Sequence, residues 1–153
     1  MDNTIYVGSD HAGYAFKVAL LKELRLKFSD LNFLDRGCHS EASCDYPTFS
    51  EKVVVEVVAQ SARGIMICGS GIGVAIAANK IPGVRAATVW DSTSATLSKE
   101  HNNANVICLG SRLVKLETAI EACSSWLKAE FSGGRHQNRI ELITALEKKY
   151  GPS

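Results

Sequence analysis

Five short apolar runs punctuate the chain, and each is followed by a longer segment with helical spacing. The runs are Thr4 to Val7, Leu31 to Leu34, Ile65 to Cys68, Val84 to Trp90 and Asn105 to Leu109. Apolar stretches of this length, bounded by turn residues, read as buried strands. The helical segments run from about Ala12 to Phe28, Phe49 to Val58, Val74 to about Lys80, Ser92 to His101, Val114 to about Lys128, and roughly His136 to Lys149. Phe49 to Val58 reads as helix despite its valines, whose branched side chains are weak helix formers. Residues 37–46 form a polar loop, Ile81-Pro82-Gly83 a turn, and Gly133-Gly134 a break before the last helix. There is no internal repeat, linker or low-complexity tract. Alternating β and α segments at this spacing predict an α/β fold: a single-domain, doubly wound (Rossmann-like) five-stranded parallel sheet with helices on both faces and a C-terminal helix, residues 1–153 forming one domain.

Composition narrows the class. With 46% hydrophobic and 22% charged residues in 153, the chain has the make-up of an ordinary soluble domain, large enough to bury a core without disulfides or metal. A net charge of +1 offers no basic excess to neutralise nucleic-acid phosphates. No apolar run reaches the roughly 18 residues of a membrane span, and Met1 leads directly into a strand-like segment without a signal-peptide pattern. Five cysteines, an odd number without regular spacing, fit reduced thiols. The expectation is a cytoplasmic, enzyme-sized domain with neither nucleic acid nor membrane as partner.

Ligands of open α/β sheets bind beyond the carboxyl ends of the strands. There the chain carries Asp10 and His11, then Cys68 to Gly73, then Asp91, then Gly110 to Arg112. The third of the five runs is the most telling. It ends in Cys68 and continues as Gly69-Ser70-Gly71-Ile72-Gly73 into helix material. A strand, a glycine loop and a helix start aim several backbone N–H groups into one small space, which suits an anion. A thiol at the edge of that space suggests catalysis, because anionic intermediates and thiolates want the same surroundings. Each residue also has a plainer reading. Asp10 caps the first helix or belongs to the site; His11 is a site residue or a solvated one; Cys68 is a nucleophile or base, or a core thiol. A nicotinamide site is disfavoured: the loop is G-x-G-x-G, Val74 fills the third-glycine position, and the loop follows the third strand. Cys38, His39 and Cys44 lack a second ligand pair and read as loop residues rather than a zinc set, while Cys108 and Cys123 read as packing.

Two further segments stand out. Lys99-Glu100-His101-Asn102-Asn103-Ala104-Asn105 places an imidazole and three carboxamides where a helix gives way to a strand, either as chemistry or as a capping device. Arg135 and Arg139 lie four apart at the start of the last helix, hence on one face. Two guanidiniums there oppose the helix dipole, so they bind a phosphate or form a solvated basic face.

The chain resembles the type B ribose-5-phosphate isomerases, which share a fold with the subunits of galactose-6-phosphate isomerase. The resemblance rests on Ser9-Asp10-His11-Ala12-Gly13, Cys44-Asp45-Tyr46-Pro47, Ile67-Cys68-Gly69-Ser70-Gly71-Ile72-Gly73, Ala77-Ala78-Asn79-Lys80, Gly83-Val84-Arg85-Ala86, His101-Asn102, Gly110-Ser111-Arg112 and Gly133-Gly134-Arg135-His136, in order along almost the whole chain. One departure is Asn103, where the resemblance leads one to expect aspartate. The resemblance implies interconversion of ribose 5-phosphate and ribulose 5-phosphate in the pentose phosphate pathway, without metal or other cofactor, in a homodimer or tetramer. It implies Cys68 as the base, with Gly69 to Gly73 stabilising a cis-enediolate, Ile72 among them, and Ser70 bonding a substrate oxygen. His101 would open the sugar ring with Asn102 beside it. Asp10 and Tyr46 would hold hydroxyls, and His11, Arg112, Arg135 and Arg139 the phosphate, either arginine of the last helix reaching its own site or a neighbouring subunit's. One branch of the family uses a loop glutamate as base; here the loop carries no acid, which implies the cysteine type. Alternatives are a six-carbon phosphosugar isomerase and a non-catalytic phosphosugar sensor.

Overall fold

Successive residues of the central strands drop into two different cores. In the computed structural model, which describes residues 3–152, strand β1 spans Thr4–Ser9, β2 Asn32–Asp35, β3 Arg63–Cys68, β4 Ala86–Thr88 and β5 Val106–Gly110. They pair in parallel in the order β2-β1-β3-β5-β4. Ile5, Val7, Ile65, Ile67, Ile107 and Leu109 enter one core; Tyr6, Met66, Cys68, Val106 and Cys108 enter the other. The period of two that splits them is the pleat itself.

Among the described residues, α1 (Tyr14–Lys27), α2 (Tyr46–Ala59), α3 (Ile72–Ala78), α4 (Ser92–Asn102) and α5 (Leu116–Lys128) cover these faces, and α6 (Arg135–Tyr150) packs on α4. Leu20 and Leu24 of α1, Ala95 of α4, and Ala122 and Trp126 of α5 fill the first core. Val53 and Val57 of α2, and Val74 and Ala78 of α3, fill the second. Crossover handedness explains the division. From β1 to β2 and from β4 to β5 the chain moves one way across the sheet, while from β2 to β3 and β3 to β4 it moves the other. Right-handed crossovers then place α1 and α4 on one face and α2 and α3 on the opposite face. Between β1 and β3 the chain departs to opposite faces, which opens a crevice at their carboxyl ends, the usual ligand position in such sheets.

Several boundaries differ from the sequence expectation. β4 is three residues long because Val84 N–H closes a turn on the Ile81 carbonyl at 3.1 Å and Arg85 N–H turns to Asn105 Oδ1 at 2.8 Å. α2 starts at Tyr46, inside the expected loop, with Asp45 at its N-cap and Pro47 in its first turn, where proline's missing N–H costs nothing. α3 stops at Ala78 because the Asn79 amide engages both backbone groups of Ala86 at 2.9 Å.

The loop between β2 and α2 is tied down from below. Lys17 of α1 is fully buried, and its Nζ donates to Asp35 Oδ1 and to the Cys38 carbonyl, each at 2.6 Å. The same Oδ1 accepts the Gly37 N–H at 2.8 Å. A lysine in a helix reads as a solvated residue, so nothing in the sequence marks this one as a structural cation. Among the described residues, no helix is long and apolar enough to cross a membrane.

Candidate active site

The crevice between β1 and β3 holds a cavity of about 590 Å³, bounded by Asp10, His11, Tyr46, Cys68, Ser70 and Arg112, with Gly69, Ile72 and Gly73 in its wall. Cys68 is the last residue of β3, and its Sγ accepts the Gly71 N–H at 3.1 Å. Gly71 sits at φ +74° as the N-cap of α3. A side chain there would be strained by that φ and would meet the Leu109 backbone at 2.8 Å. The turn that aims this amide at sulfur therefore depends on glycine. Thr88 Oγ1 donates to the Gly71 carbonyl at 2.9 Å, and Ser111 and Arg112 N–H groups take the Cys68 and Gly69 carbonyls at 2.8 and 3.0 Å. Every strand of the loop is thus anchored to a neighbour. Ser70 Oγ accepts the Ile72 N–H at 3.2 Å, which leaves the hydroxyl proton for a ligand.

The rim supplies charge and a ring. A Cβ on residue 69 would lie 2.8 Å from Arg112 Nη1, so the guanidinium covers that glycine. The Tyr46 ring lies over Gly73 in the same way, with a Cβ there meeting Cζ at 2.7 Å. Asp10 Oδ1 accepts the Gly13 N–H at 3.0 Å. Asp10 pins the turn before α1 without capping the helix, whose N-cap is Gly13, and it lines the cavity.

His11 shows what the sequence concealed. Its Nδ1 accepts the Cys44 N–H at 3.2 Å, with Cys44 Sγ 3.8 Å away. That contact commits Nδ1 as acceptor and leaves Nε2 to carry the proton toward a ligand. Partial burial pushes the Cys44 thiol above its ordinary range, against the pull of the His11 contact. A backbone N–H has no sequence signature, so a loop residue read as ordinary turns out to orient the imidazole that lines the cavity. Cys108 and Cys123 are buried thiols whose burial drives them upward, Cys123 to about 12. Asp91, at the end of β4's segment, stands apart from the cavity: its Oδ1 caps α4 by accepting the Ser94 N–H at 2.7 Å, and hydrogen bonds from Ser94 hold its carboxyl below the usual range.

Four expected site residues do not reach this cavity within the chain. His101 and Asn102 end α4, close to the amino ends of the strands: Asn105, three residues on, accepts the first N–H of the β3 ladder, that of Gly64. Arg63 and Cys68 mark the two ends of β3, about 16 Å apart at the usual strand rise. The His101 ring stacks on His136 of α6, centroids 4.2 Å apart and planes 11° apart. Ser132 N–H bonds the Glu100 carbonyl at 3.0 Å and fixes the approach of α6. Arg135 and Arg139 flank that stack. Burial first, then the charges of His101, Arg135 and Arg139, push the His136 pKa down. The residues thus form two clusters at two ends of the sheet. One holds Cys68, Asp10, His11, Tyr46, Ser70 and Arg112; the other holds His101, Arg135 and Arg139, with Asn102 beside it.

The first cluster sets a thiol with an amide donor beside a guanidinium at the topological switch point of an α/β sheet, an arrangement that suits a small oxyanionic substrate. Residues 5–143 match the family described as Ribose/Galactose Isomerase, and the chain belongs to that family. It is 40% identical over 146 residues to ribose-5-phosphate isomerase B of Escherichia coli, covering 95% of this chain and 97% of that one. It is 42% identical over 152 residues to the probable ribose-5-phosphate isomerase B of Mycoplasma genitalium, covering 97% and 99%. Among solved structures, ribose-5-phosphate isomerase B of Clostridium thermocellum superposes with a TM-score of 0.92 at 46% identity, over 97% of this chain and 99% of that one. The Mycoplasma genitalium enzyme with bound ribulose-5-phosphate gives 0.89 at 42%, over 95% and 97%.

Proposed function

We propose that the chain is a cytoplasmic ribose-5-phosphate isomerase of the B type, serving the pentose phosphate pathway. The observation that carries this reading is Cys68: a thiol at a strand end, with an amide donor on its sulfur, in a cavity that also presents His11, Ser70, Tyr46 and Arg112. The family and the ribulose-5-phosphate found on a relative support it. Arg112 and the Nε2 side of His11 take the phosphate, the guanidinium by its bidentate fork. Asp10 and Tyr46 hold hydroxyls along the sugar. With the aldose in open-chain form, the Cys68 thiolate removes the proton from carbon 2, and the electrons of that bond move into a carbon–carbon double bond as the aldehyde becomes an enediolate. The Ser70 hydroxyl and the loop amides between Gly69 and Gly73 stabilise the oxyanion, apart from those of Gly71, held on the Cys68 sulfur, and Ile72, held on Ser70 Oγ; this is the largest electrostatic contribution in reactions of this type. Cys68 returns the proton to carbon 1, and a hydroxyl proton passes from O2 to O1, which leaves a ketone at carbon 2.

Ring opening needs a second acid–base group, and within one chain His101 lies at the other end of the sheet. We assign His101, Asn102, Arg135 and Arg139 to the site of a twofold-related partner, so that each subunit completes the other's cavity. A homodimer is the smallest assembly that does so. The six-carbon and sensor alternatives gain no specific observation.

Solvent exchange at carbon 2 tests the reading. Proton NMR of ribose 5-phosphate in deuterium oxide with chelator should show enzyme-dependent loss of the carbon-2 proton signal. Cys68→Ala should slow it by at least about a hundredfold, the lower end of general-base contributions, while ribulose 5-phosphate still binds. Exchange in Cys68→Ala at a tenth of the wild-type rate would sink the assignment.

A further inference from the structure

At the amino ends of the strands, away from Cys68, the protein has a second cleft, of about 300 Å³, to which Arg63, Arg85, Lys99, Asn103 and Asn105 contribute. It adjoins another of about 570 Å³ that shares Arg63, Lys99 and Asn103. Three cations thus converge from three elements: the first residue of β3, the residue before β4, and α4. Lys99 is only 9% exposed. Their hydrogen bonds go to neutral groups. Lys99 Nζ donates to Asn103 Oδ1 at 2.8 Å, Arg85 to the Asn102 and Asn103 carbonyls at 3.0–3.2 Å, and Arg63 Nη1 to the Leu127 carbonyl at 3.2 Å. Arg63 Nε is buried without a partner.

Carboxylates are present but stand back. Among the described residues the side-chain ion pairs within 4 Å are Lys17–Asp35 and Arg36–Glu56, neither in this cleft. Asp30 acts on Arg63 and Glu147 on Arg85 only at longer range, and Glu147 is engaged by the Gly83 N–H at 3.1 Å. Glu130 lines the adjoining cleft. Carbonyls and an amide take up donors of all three cations, Arg63 Nε excepted, but cancel no charge, and partly buried cations without a counter-ion are costly. Burial pushes Lys99 below its ordinary range, and Arg63 and Arg85 push it further. Asn103, the position where the resemblance leads one to expect aspartate, is where an internal counter-ion would sit.

We propose that this cleft is a binding site for a small anion bearing a diphosphate group, with Arg63, Arg85 and Lys99 as its charge partners and Asn103 as a neutral hydrogen-bonding member. Neither the cleft nor its ligand takes part in the isomerase reading above.

The test is calorimetric titration of pyrophosphate into the full-length protein, without divalent metal, at low and constant ionic strength. Saturable binding is expected in the wild type. Asn103→Asp places a carboxylate beside Lys99, at a left-handed position (φ +44°) that aspartate tolerates. It should weaken binding by at least about tenfold through charge alone. Arg63→Gln should do the same, and guards against misfolding of the first variant. Arg112→Met takes the phosphate partner out of the isomerase cavity, and should keep the saturable component that Asn103→Asp and Arg63→Gln weaken. A parallel titration with ADP separates a free diphosphate from one carried by a nucleoside: equal affinity means that the diphosphate alone is recognised, tighter binding that the nucleoside adds contacts. The proposal is overturned if the wild type shows no saturation, if Asn103→Asp binds as tightly as the wild type, or if only Arg112→Met loses binding.

Discussion

Replacing Lys17 by methionine removes the cation that joins α1, β2 and the following loop while keeping an apolar stem of similar length. The variant strands Asp35 and frees the buried Cys38 carbonyl. Removing one partner of a buried ion pair costs about 3–5 kcal/mol. Asp35 retains the Gly37 N–H, and its side chain is 24% exposed, so solvent relieves part of the stranded charge and the lower end, about 3 kcal/mol, applies. For a chain of this size each kcal/mol moves Tm by about 2–4 °C, giving a fall of about 6–12 °C. Thermal unfolding by circular dichroism, with urea melts to check that m is unchanged, provides the measurement. Lys17→Met combined with Asp35→Asn removes the orphan charge yet keeps an oxygen for Gly37, and should recover about half of the loss or more. The loop beyond Cys38 leads to Cys44, whose N–H orients His11, so Lys17→Met should also raise KM more than it lowers kcat. A Tm fall of less than about 2 °C, or a double variant no more stable than the single one, would refute the stranded-charge argument.

Other outcomes follow from the same geometry. Gly73→Ala sits inside a helix, where alanine is favoured by up to about 1 kcal/mol, but its Cβ would meet three Tyr46 ring atoms at 2.7–3.1 Å; Tm should hold or rise while kcat/KM falls about tenfold or more, and unchanged kcat/KM would show that the ring's position is immaterial. His136 has a folded pKa below the ordinary 6.5, so its contribution to stability is complete above that value and lost as pH falls beneath it; urea melts from pH 7.5 to 5 should show this slope in the wild type and a flatter one in His136→Phe, and parallel curves would contradict it. Refolding a mixture of Cys68→Ala and Arg139→Ala chains should restore about a quarter of wild-type activity, since about half the dimers are mixed and each of those has one intact site; recovery no better than the parents' mean would place Arg139 in its own subunit's site.

Periodicity and turn residues made the sheet and its helices legible, because both cores are assembled from strictly patterned apolar positions. Cys68, Asp10, His11 and Arg112 were legible for a related reason: parallel strands put their following residues at one end of the sheet. His101 and the arginines of α6 were visible as chemistry but not as location, because the sequence does not say which end of α4 meets which cavity, or whose cavity it is. Lys17 and Cys44 were invisible. One works from a helix face that normally meets water, the other through a backbone N–H that every residue possesses. The short β4 was overestimated because Val84 and Arg85, which continue the strand pattern, are claimed by a turn and by the Asn105 amide.

Cys68 belongs to the same alternation that assembles the second core. It follows Met66 on one side of β3, while Ile65 and Ile67 face the other. If β3 were displaced by one residue against β1 and β5, its faces would exchange, and the sulfur would turn toward α1 and α5 and away from the Gly71 amide. A compact, helical, misregistered chain would pass a far-ultraviolet spectrum and still be chemically silent. With Cys68 as the proposed base, turnover per molecule after refolding becomes a census of correct strand register, and the thiol a reporter that needs no label.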